Sequence, residues 1–131
     1  MLVRLRGSRP HYTLFNIIKR RLIMGQSPLL GGFEHFVLLA LSSFPKQAEG
    51  MEIYDRLVIT TGRDVSVPAV YVTLKRLEQR GLVSSANRRD DGPRRSHKLF
   101  RLEPEGVKAV REYRRATEKL WGESRLTELR P

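Results

Sequence analysis

Apolar residues recur at three- and four-residue intervals in one stretch near the middle of the chain. This spacing predicts one buried face of a helix over residues 66–80. Ser66 suits the N-cap of that helix, and Pro68 suits its first turn, because the N–H that proline lacks has no helical partner there. Gly81 supplies the left-handed residue that ends a helix. The apolar positions that define the buried face are Val67, Val70, Leu74 and Leu77.

The opposite face of the same predicted helix carries cationic and small apolar side chains. An apolar face for packing and a basic face for contact suit a helix that enters the major groove of DNA. An amphipathic surface helix with a solvated charged side is the alternative that this pattern leaves open. The outward positions are Pro68, Val72, Lys75, Arg76 and Gln79, with Ala69 and Arg80 at the edge of the face.

Two further helical patterns precede this stretch. Residues 32–43 are apolar on almost every side from Phe36 onward, so we expect a helix that is buried or shared with a second subunit. Residues 50–61 carry a single apolar stripe at helical spacing. Because a tight turn over 61–65 separates this helix from the one over 66–80, the pair has the outline of a helix-turn-helix.

Two short segments after the central helix have the composition of strands. They cover residues 82–87 and 97–102, and Asp-Gly-Pro at 91–93 is strong turn chemistry between them. Cations on both sides of this turn predict the wing of a winged helix, with a tip that contacts phosphates or the neighbouring minor groove. A merely solvated tip, partly neutralised by Asp90 and Asp91, is the alternative. The cations around the turn are Arg88, Arg89, Arg94, Arg95 and Lys98.

The last helical pattern begins at Pro104 and carries an apolar stripe whose spacing is heptad-like. A terminal helix beyond a small domain has little core of its own to cover, so pairing with a second copy of the chain explains the stripe. Trp121 is expected to anchor that interface. The expected interface residues are Phe36, Leu39, Val107, Val110, Tyr113, Leu120 and Trp121.

The composition indicates a polyanionic partner. The chain contains 25 Lys and Arg residues against 14 Asp and Glu among 131 residues, for a formal net charge of +11. Nucleic acid and acidic membrane surfaces are therefore the first partner classes. No apolar run is long enough to span a bilayer, and no cleavage site follows the basic first segment, so we expect neither a membrane-spanning segment nor a secretory signal. Of the two partner classes, we expect nucleic acid and no membrane.

The chain lacks the residue groups that most enzymes and metal sites require. It has no cysteine, which excludes disulfides and thiol chemistry and is compatible with a cytoplasmic location. No carboxylate pair, Ser-His arrangement or glycine-rich phosphate loop is visible, so we expect no enzyme activity and no cofactor. Three scattered histidines predict no metal site, and His35 is expected to be a packing residue.

Residues 1–29 form a basic extension before the first clear domain signal. The first thirty residues contain six cationic side chains and no acid, which is +6 of the +11 net charge. We expect a poorly ordered extension, with a basic arm that adds phosphate contacts as the alternative. A winged-helix DNA-binding domain over 30–103 and a C-terminal dimerisation helix over 104–131 complete the expected organisation.

From about residue 30 to residue 121 the chain resembles the PadR-like transcriptional regulators. Four stretches carry the resemblance, and the third is the most specific, because its Ser, Tyr, Leu-Glu and Gly-Leu-Val residues lie in the register of the family. Met51, Val72 and Glu103 depart from the residues that are common in the family. The four stretches are 36–41, 50–53, 65–83 and 98–106.

The resemblance implies a homodimeric repressor. Its expected fold is mainly α with a small β-hairpin, which is a winged helix-turn-helix followed by one C-terminal dimerisation helix. Some members of the family sense small phenolic or drug-like molecules, so a small-molecule effector is a further expected partner.

Double-stranded DNA is the partner that the pattern and the resemblance together predict. Cations of the helix and the wing would neutralise phosphates, small apolar side chains suit thymine methyl groups, and Tyr71 and Thr73 add hydroxyls at the helix flanks. Because few side chains can read bases, we expect shape readout of a near-palindromic site that contains A·T pairs. A winged helix that binds an acidic protein is the alternative. The expected DNA-binding residues are Ser66, Pro68, Ala69, Tyr71, Val72, Thr73, Lys75, Arg76, Arg80, Arg88, Arg89, Arg94, Arg95 and Lys98.

Overall fold

The computed structural model describes residues 30–88 and 98–130 of the chain. The predicted helices over 32–43, 50–61 and 66–80 are all present, and the last helix begins at Pro104 as predicted. None of the helices in these ranges is long and apolar enough to cross a membrane. The elements in chain order are α1 (Gly32–Ser42), β1 (Ala48–Glu49), α2 (Gly50–Thr61), α3 (Val67–Gln79), β2 (Val83–Asn87), β3 (Lys98–Leu102) and α4 (Pro104–Glu123).

Both ends of α3 carry the capping groups that the sequence predicts. The Ser66 hydroxyl accepts a hydrogen bond from the Ala69 N–H at 3.2 Å. At the other end, Gly81 has a φ of 76°, the left-handed conformation that favours glycine. The Leu82 N–H then donates to the Leu77 carbonyl at 2.9 Å, which is a hydrogen bond of the Schellman motif. The length of α3 is therefore set by its local sequence.

The hydrophobic core lies between the first three helices and the sheet. α3 contributes Val70, Leu74 and Leu77, none of which is exposed to solvent. Interiors pack at the density of organic crystals, so these side chains hold α3 in one orientation against α1 and α2. The largest fully buried side chains are Val37, Leu38, Ile53, Val70, Leu74, Leu77 and Val83.

The sheet contains a third strand that the expected hairpin lacks. β2 and β3 pair antiparallel, with Ser85 opposite Phe100, and β1 pairs with the other side of β3, with Ala48 opposite Phe100. The strand order is therefore β1-β3-β2. A strand of two residues is too short to show alternation of apolar and polar positions, which is why the sequence pattern does not reveal it.

The beginning of α4 packs closely on the domain, whereas its end is exposed. A Cβ atom on Gly106 would lie 2.2 Å from the carbonyl oxygen of Leu82, so only glycine allows this approach. Near the other end of the helix, Leu120 is 70% and Trp121 61% exposed. α4 therefore carries an apolar surface that its own domain leaves uncovered.

His35 of α1 is the second attachment point of α4. Its ring stacks on the ring of Tyr113, with centroids 4.0 Å apart and an angle of 18° between the planes. Burial lowers the pKa of His35 below its usual value near 6.5. Its Nδ1 atom is buried without a hydrogen-bond partner among the described residues. These observations agree with the interpretation of His35 as a packing residue.

The Gly106→Ala substitution is expected to destabilise the fold, because the new Cβ would collide with the backbone at Leu82. Over-packing of this kind costs about 1–3 kcal/mol of unfolding free energy, which urea denaturation measures. Gly122→Ala is the matched control on the same helix, because a Cβ there meets nothing within 4 Å. Alanine at that position should be neutral or stabilise by up to about 1 kcal/mol. Equal destabilisation of both variants would contradict the close packing of α4 against the backbone at Leu82.

Acidification is expected to destabilise the protein in part through His35. Because burial lowers its pKa in the folded state, the unfolded chain binds the proton more tightly. The stability contribution is therefore present above the unfolded pKa of about 6.5 and declines as the pH falls below it. His35→Phe retains a ring against Tyr113 without the titration. Between about pH 5 and pH 7.5, the urea concentration at the midpoint of unfolding should vary less with pH in this variant than in the wild-type protein. The same pH dependence in both proteins would contradict the contribution of His35.

Candidate nucleic-acid interface

The outer face of α3, defined as the side opposite its buried residues, is open to solvent. Tyr71 is 39% and Val72 49% exposed, and the side chains of Lys75 and Arg76 follow them one turn later. Two cations and a small apolar patch therefore lie together on one exposed helix face. The exposed residues of the outer face are Pro68, Tyr71, Val72, Lys75, Arg76 and Gln79.

The first turn of α3 combines a capping hydroxyl with small side chains. Ser66 is exposed, and its hydroxyl accepts from the Ala69 N–H while its own O–H remains a donor. Pro68 is exposed and Ala69 half-buried. The helix start can therefore approach another molecule closely, with one O–H group to donate.

Tyr71 is positioned by the first residue of α2. A Cβ atom on Gly50 would lie 2.5 Å from Cζ of Tyr71, so the phenol ring rests directly on the backbone at Gly50. Glycine is the residue that leaves room for the ring in this arrangement. The contact places the hydroxyl of Tyr71 where the start of α2 meets α3.

Thr73 does not lie at the exposed helix flank that its sequence position predicts. It is only 6% exposed, so its side chain belongs to the buried side of α3. Thr73 follows Val70 by three residues and precedes Leu77 by four, and these helical spacings put it beside two core residues. The expectation that Thr73 lies at an exposed helix flank is therefore wrong.

Arg80 forms an ion pair within the domain. Its Nη1 atom lies 3.1 Å from Oε1 of Glu34 in the first turn of α1, and each side chain is 23% exposed. Arg80 thus lies half-buried at the end of α3, one turn after Arg76, with its guanidinium beside a carboxylate. The sequence separation of 46 residues gives no local signal for this pair.

The base of the wing carries two of the expected cations. Arg88 follows β2, and its Nη1 atom lies 3.4 Å from Oε2 of Glu49, which is the N-cap residue of α2. Lys98 is exposed at the start of β3, opposite Asn87 in the sheet. The carboxylate of Glu49 therefore compensates part of the charge of Arg88, although the Arg88 side chain remains mostly exposed.

The tip of the wing lies outside the described residues, and so do Arg89, Arg94 and Arg95. The basic extension over 1–29 lies outside them as well. Within residues 30–88 and 98–130, no cluster of three or more Asp, Glu or His side chains could hold a metal ion.

Two exposed arginines lie outside the set of cations that the sequence predicts for the interface. Arg63 lies in the turn between α2 and α3, and Arg101 points to solvent from β3. The adjacent Asp64 offsets the charge of Arg63 in the sequence, which conceals it from a search for charge runs. Arg101 follows the buried Phe100, and the reversal of side-chain direction between successive strand residues is the signal that could have found it.

The residues expected at the dimer interface fall into two groups. Val107, Val110 and Tyr113 are half-buried in the single chain. Val110 and Tyr113 pack against the core, and Tyr113 contacts His35. The members of the set that remain exposed are Phe36, Leu39, Leu120 and Trp121.

Phe36 and Leu39 line an open apolar groove between α1 and α2. Its volume is about 220 Å³, and Leu57 forms part of its wall. Arg56 closes one side, where its guanidinium lies 4.3 Å from the ring centre of Phe44 and donates a hydrogen bond to the Ser43 hydroxyl. The groove is therefore apolar with one fixed cation at its edge.

Comparison with known proteins gives one family and several similar folds. A sequence model of the transcriptional regulator PadR-like family matches residues 37–112. No curated protein sequence matches the chain. The matched segment runs from α1 into α4 and includes all of α3.

Solved structures share the fold at low sequence identity. A PadR family transcription regulator from Clostridium difficile R20291 has a TM-score of 0.58 and 20% identity, over 71% of this chain and 97% of that one. A PadR family regulator from Eggerthella lenta DSM 2243 has a TM-score of 0.59 and 22% identity, over 90% and 99%. F93 from STIV, a winged-helix DNA-binding protein, has a TM-score of 0.56 and 16% identity, over 66% and 87%. The winged-helix fold predicted from the sequence is confirmed.

Proposed function

The chain belongs to the PadR-like family of transcriptional regulators, and from this membership we propose that it is a homodimeric repressor that binds specific DNA sites. The observation that carries the proposal is the exposed outer face of α3. Lys75 and Arg76 lie there on a helix whose opposite face is fixed in the core. A rigid cationic helix face is the element that winged-helix proteins insert into the major groove.

Phosphate contacts supply most of the affinity. Lys75 and Arg76 neutralise phosphates beside the groove, and counterion release makes binding fall steeply with salt. On the wing, Arg88 and Lys98 add contacts at its base, and Arg89, Arg94 and Arg95 add contacts at its tip. The Ser66 and Tyr71 hydroxyls donate to the DNA backbone at the helix start.

Sequence selectivity arises from few base contacts and from DNA shape. Pro68, Ala69 and Val72 offer apolar surface that suits thymine methyl groups. Such a small set favours shape readout of an A·T-containing, near-palindromic site.

A second copy of the chain covers the exposed apolar surface. Leu120 and Trp121 near the end of α4 pair with their counterparts and with the rim formed by Phe36 and Leu39. Two-fold symmetry then presents two α3 helices to successive major grooves, about 34 Å apart. Response to a small phenolic or drug-like effector is proposed on family membership alone.

Lys75→Ala and Arg76→Ala are expected to weaken DNA binding across all sequences, because each leaves one phosphate without its cation. The slope of log K against log salt should become shallower by about 0.9 for each phosphate that is no longer neutralised. Lys108→Ala is the matched control, because Lys108 is exposed on α4, outside the proposed surface. Gel shifts at several salt concentrations with competitor DNA measure both quantities. An unchanged slope in the α3 variants would contradict this docking, and equal binding to all sequences would favour an acidic protein partner instead.

The double variant Leu120→Ala/Trp121→Ala is expected to be monomeric. Central aromatic anchors contribute at least about 2 kcal/mol to an interface, which is about thirtyfold in the dimer dissociation constant. Light scattering after size exclusion measures the mass. Lys119→Ala is the control, because it is an exposed neighbour on the same turn without the apolar surface. A monomeric wild-type protein, or a dimeric double variant, would contradict the proposed interface.

A further inference from the structure

The first turn of α1 connects two parts of the protein that have different proposed roles. Oε1 of Glu34 accepts a hydrogen bond from the Gly31 N–H at 2.9 Å and another from Nη1 of Arg80 at 3.1 Å. The next residue, His35, stacks on Tyr113 of α4 at 4.0 Å. Two consecutive residues of α1 therefore hold the end of the DNA-binding helix and the middle of the dimerisation helix.

The environment of Arg80 distinguishes it from the cations of the outer face. Lys75 and Arg76 are exposed, whereas the side chains of Arg80 and Glu34 are each only 23% exposed. A partly buried guanidinium beside a carboxylate already has its charge compensated, and moving it to a phosphate would take that compensation away from Glu34. Arg80 is therefore poorly placed to exchange an internal contact for a DNA contact.

We propose that the Glu34–Arg80 ion pair is a positioning brace that fixes the angle of α3 relative to α4, and that Arg80 does not neutralise a DNA phosphate. The inference rests on the proposed function, because this angle matters only if two α3 helices must reach successive grooves. The brace acts with the His35–Tyr113 stack, since both attach to the same turn of α1. Together they set the distance between the half-sites that the dimer recognises.

The spacing of the half-sites is the readout that separates a brace from a phosphate contact. The probes are a DNA fragment that the wild-type dimer selects from genomic DNA and two derivatives with the centre lengthened or shortened by one base pair. A phosphate contact contributes to all three alike. A brace contributes most to the native spacing, because it holds both α3 helices at the distance that this spacing requires.

Arg80→Ala in the full chain is expected to lower affinity for the native spacing by about tenfold, with an unchanged salt slope and weaker discrimination among the three spacings. Arg76→Ala is the matched control, since it should reduce the slope by about 0.9 and keep the spacing preference. If Arg80→Ala instead gives the Arg76→Ala result, Arg80 is a phosphate contact and the brace is wrong.

Glu34→Gln makes the sharpest comparison, because it removes an anion while an amide oxygen can still accept from Gly31. General electrostatics predicts tighter DNA binding at all three spacings, whereas the brace predicts weaker discrimination among the spacings, because a neutral amide holds the Arg80 guanidinium less firmly than a carboxylate. The reversed pair Glu34→Arg/Arg80→Glu should recover much of the spacing preference. An unchanged spacing preference in Glu34→Gln would overturn the proposal.

A measurement without DNA separates failure of this inference from failure of the proposed function. If the wild-type protein shows no sequence-selective binding, the proposed function is wrong. Urea unfolding of Glu34→Gln, Arg80→Ala and the double variant still tests the brace. Non-additive changes in unfolding free energy support it, and strictly additive changes overturn it.

Discussion

The burial of one face of α3 is the constraint on which the rest of the structure depends. Val70, Leu74 and Leu77 are completely enclosed, so rotation of α3 about its axis would expose apolar area and open cavities in the core. Because both faces belong to one rigid helix, the packing that fixes the buried face of α3 also fixes the direction of its outer face. The positions of Lys75 and Arg76 on the outer face therefore follow from packing.

The supporting elements act on the ends of this helix. The Ser66 cap and the left-handed Gly81 limit its length, and Gly81 turns the chain directly into β2. β1 attaches the start of α2 to the sheet through β3, so the helix-turn-helix and the wing share one framework. Gly106 then allows α4 to begin against Leu82, which joins the end of α3 to the terminal helix over a short distance.

The sequence predicts those parts of the molecule that local chemistry determines. The helix bounds, both caps of α3 and its buried side follow from spacing and from single residues such as Ser66 and Gly81. The side on which Thr73 lies is harder to predict, because a threonine at the edge of an apolar stripe can face either way. β1 escapes prediction because two residues show no period. The pairing of Arg80 with Glu34 depends on tertiary structure, which brings together residues 46 positions apart.

Net charge is therefore a poor guide to where a polyanion binds. The 25 Lys and Arg residues include Arg80, Arg88, Arg114 and Arg125, and each of these four has a carboxylate oxygen within 3.4 Å. Such pairs reduce the local potential that a phosphate experiences, since the two charges nearly cancel at a distance. The long-range field of the whole chain attracts DNA without orienting it. Orientation has to come from the cations whose direction the core dictates, and Lys75 and Arg76 of α3 are such cations.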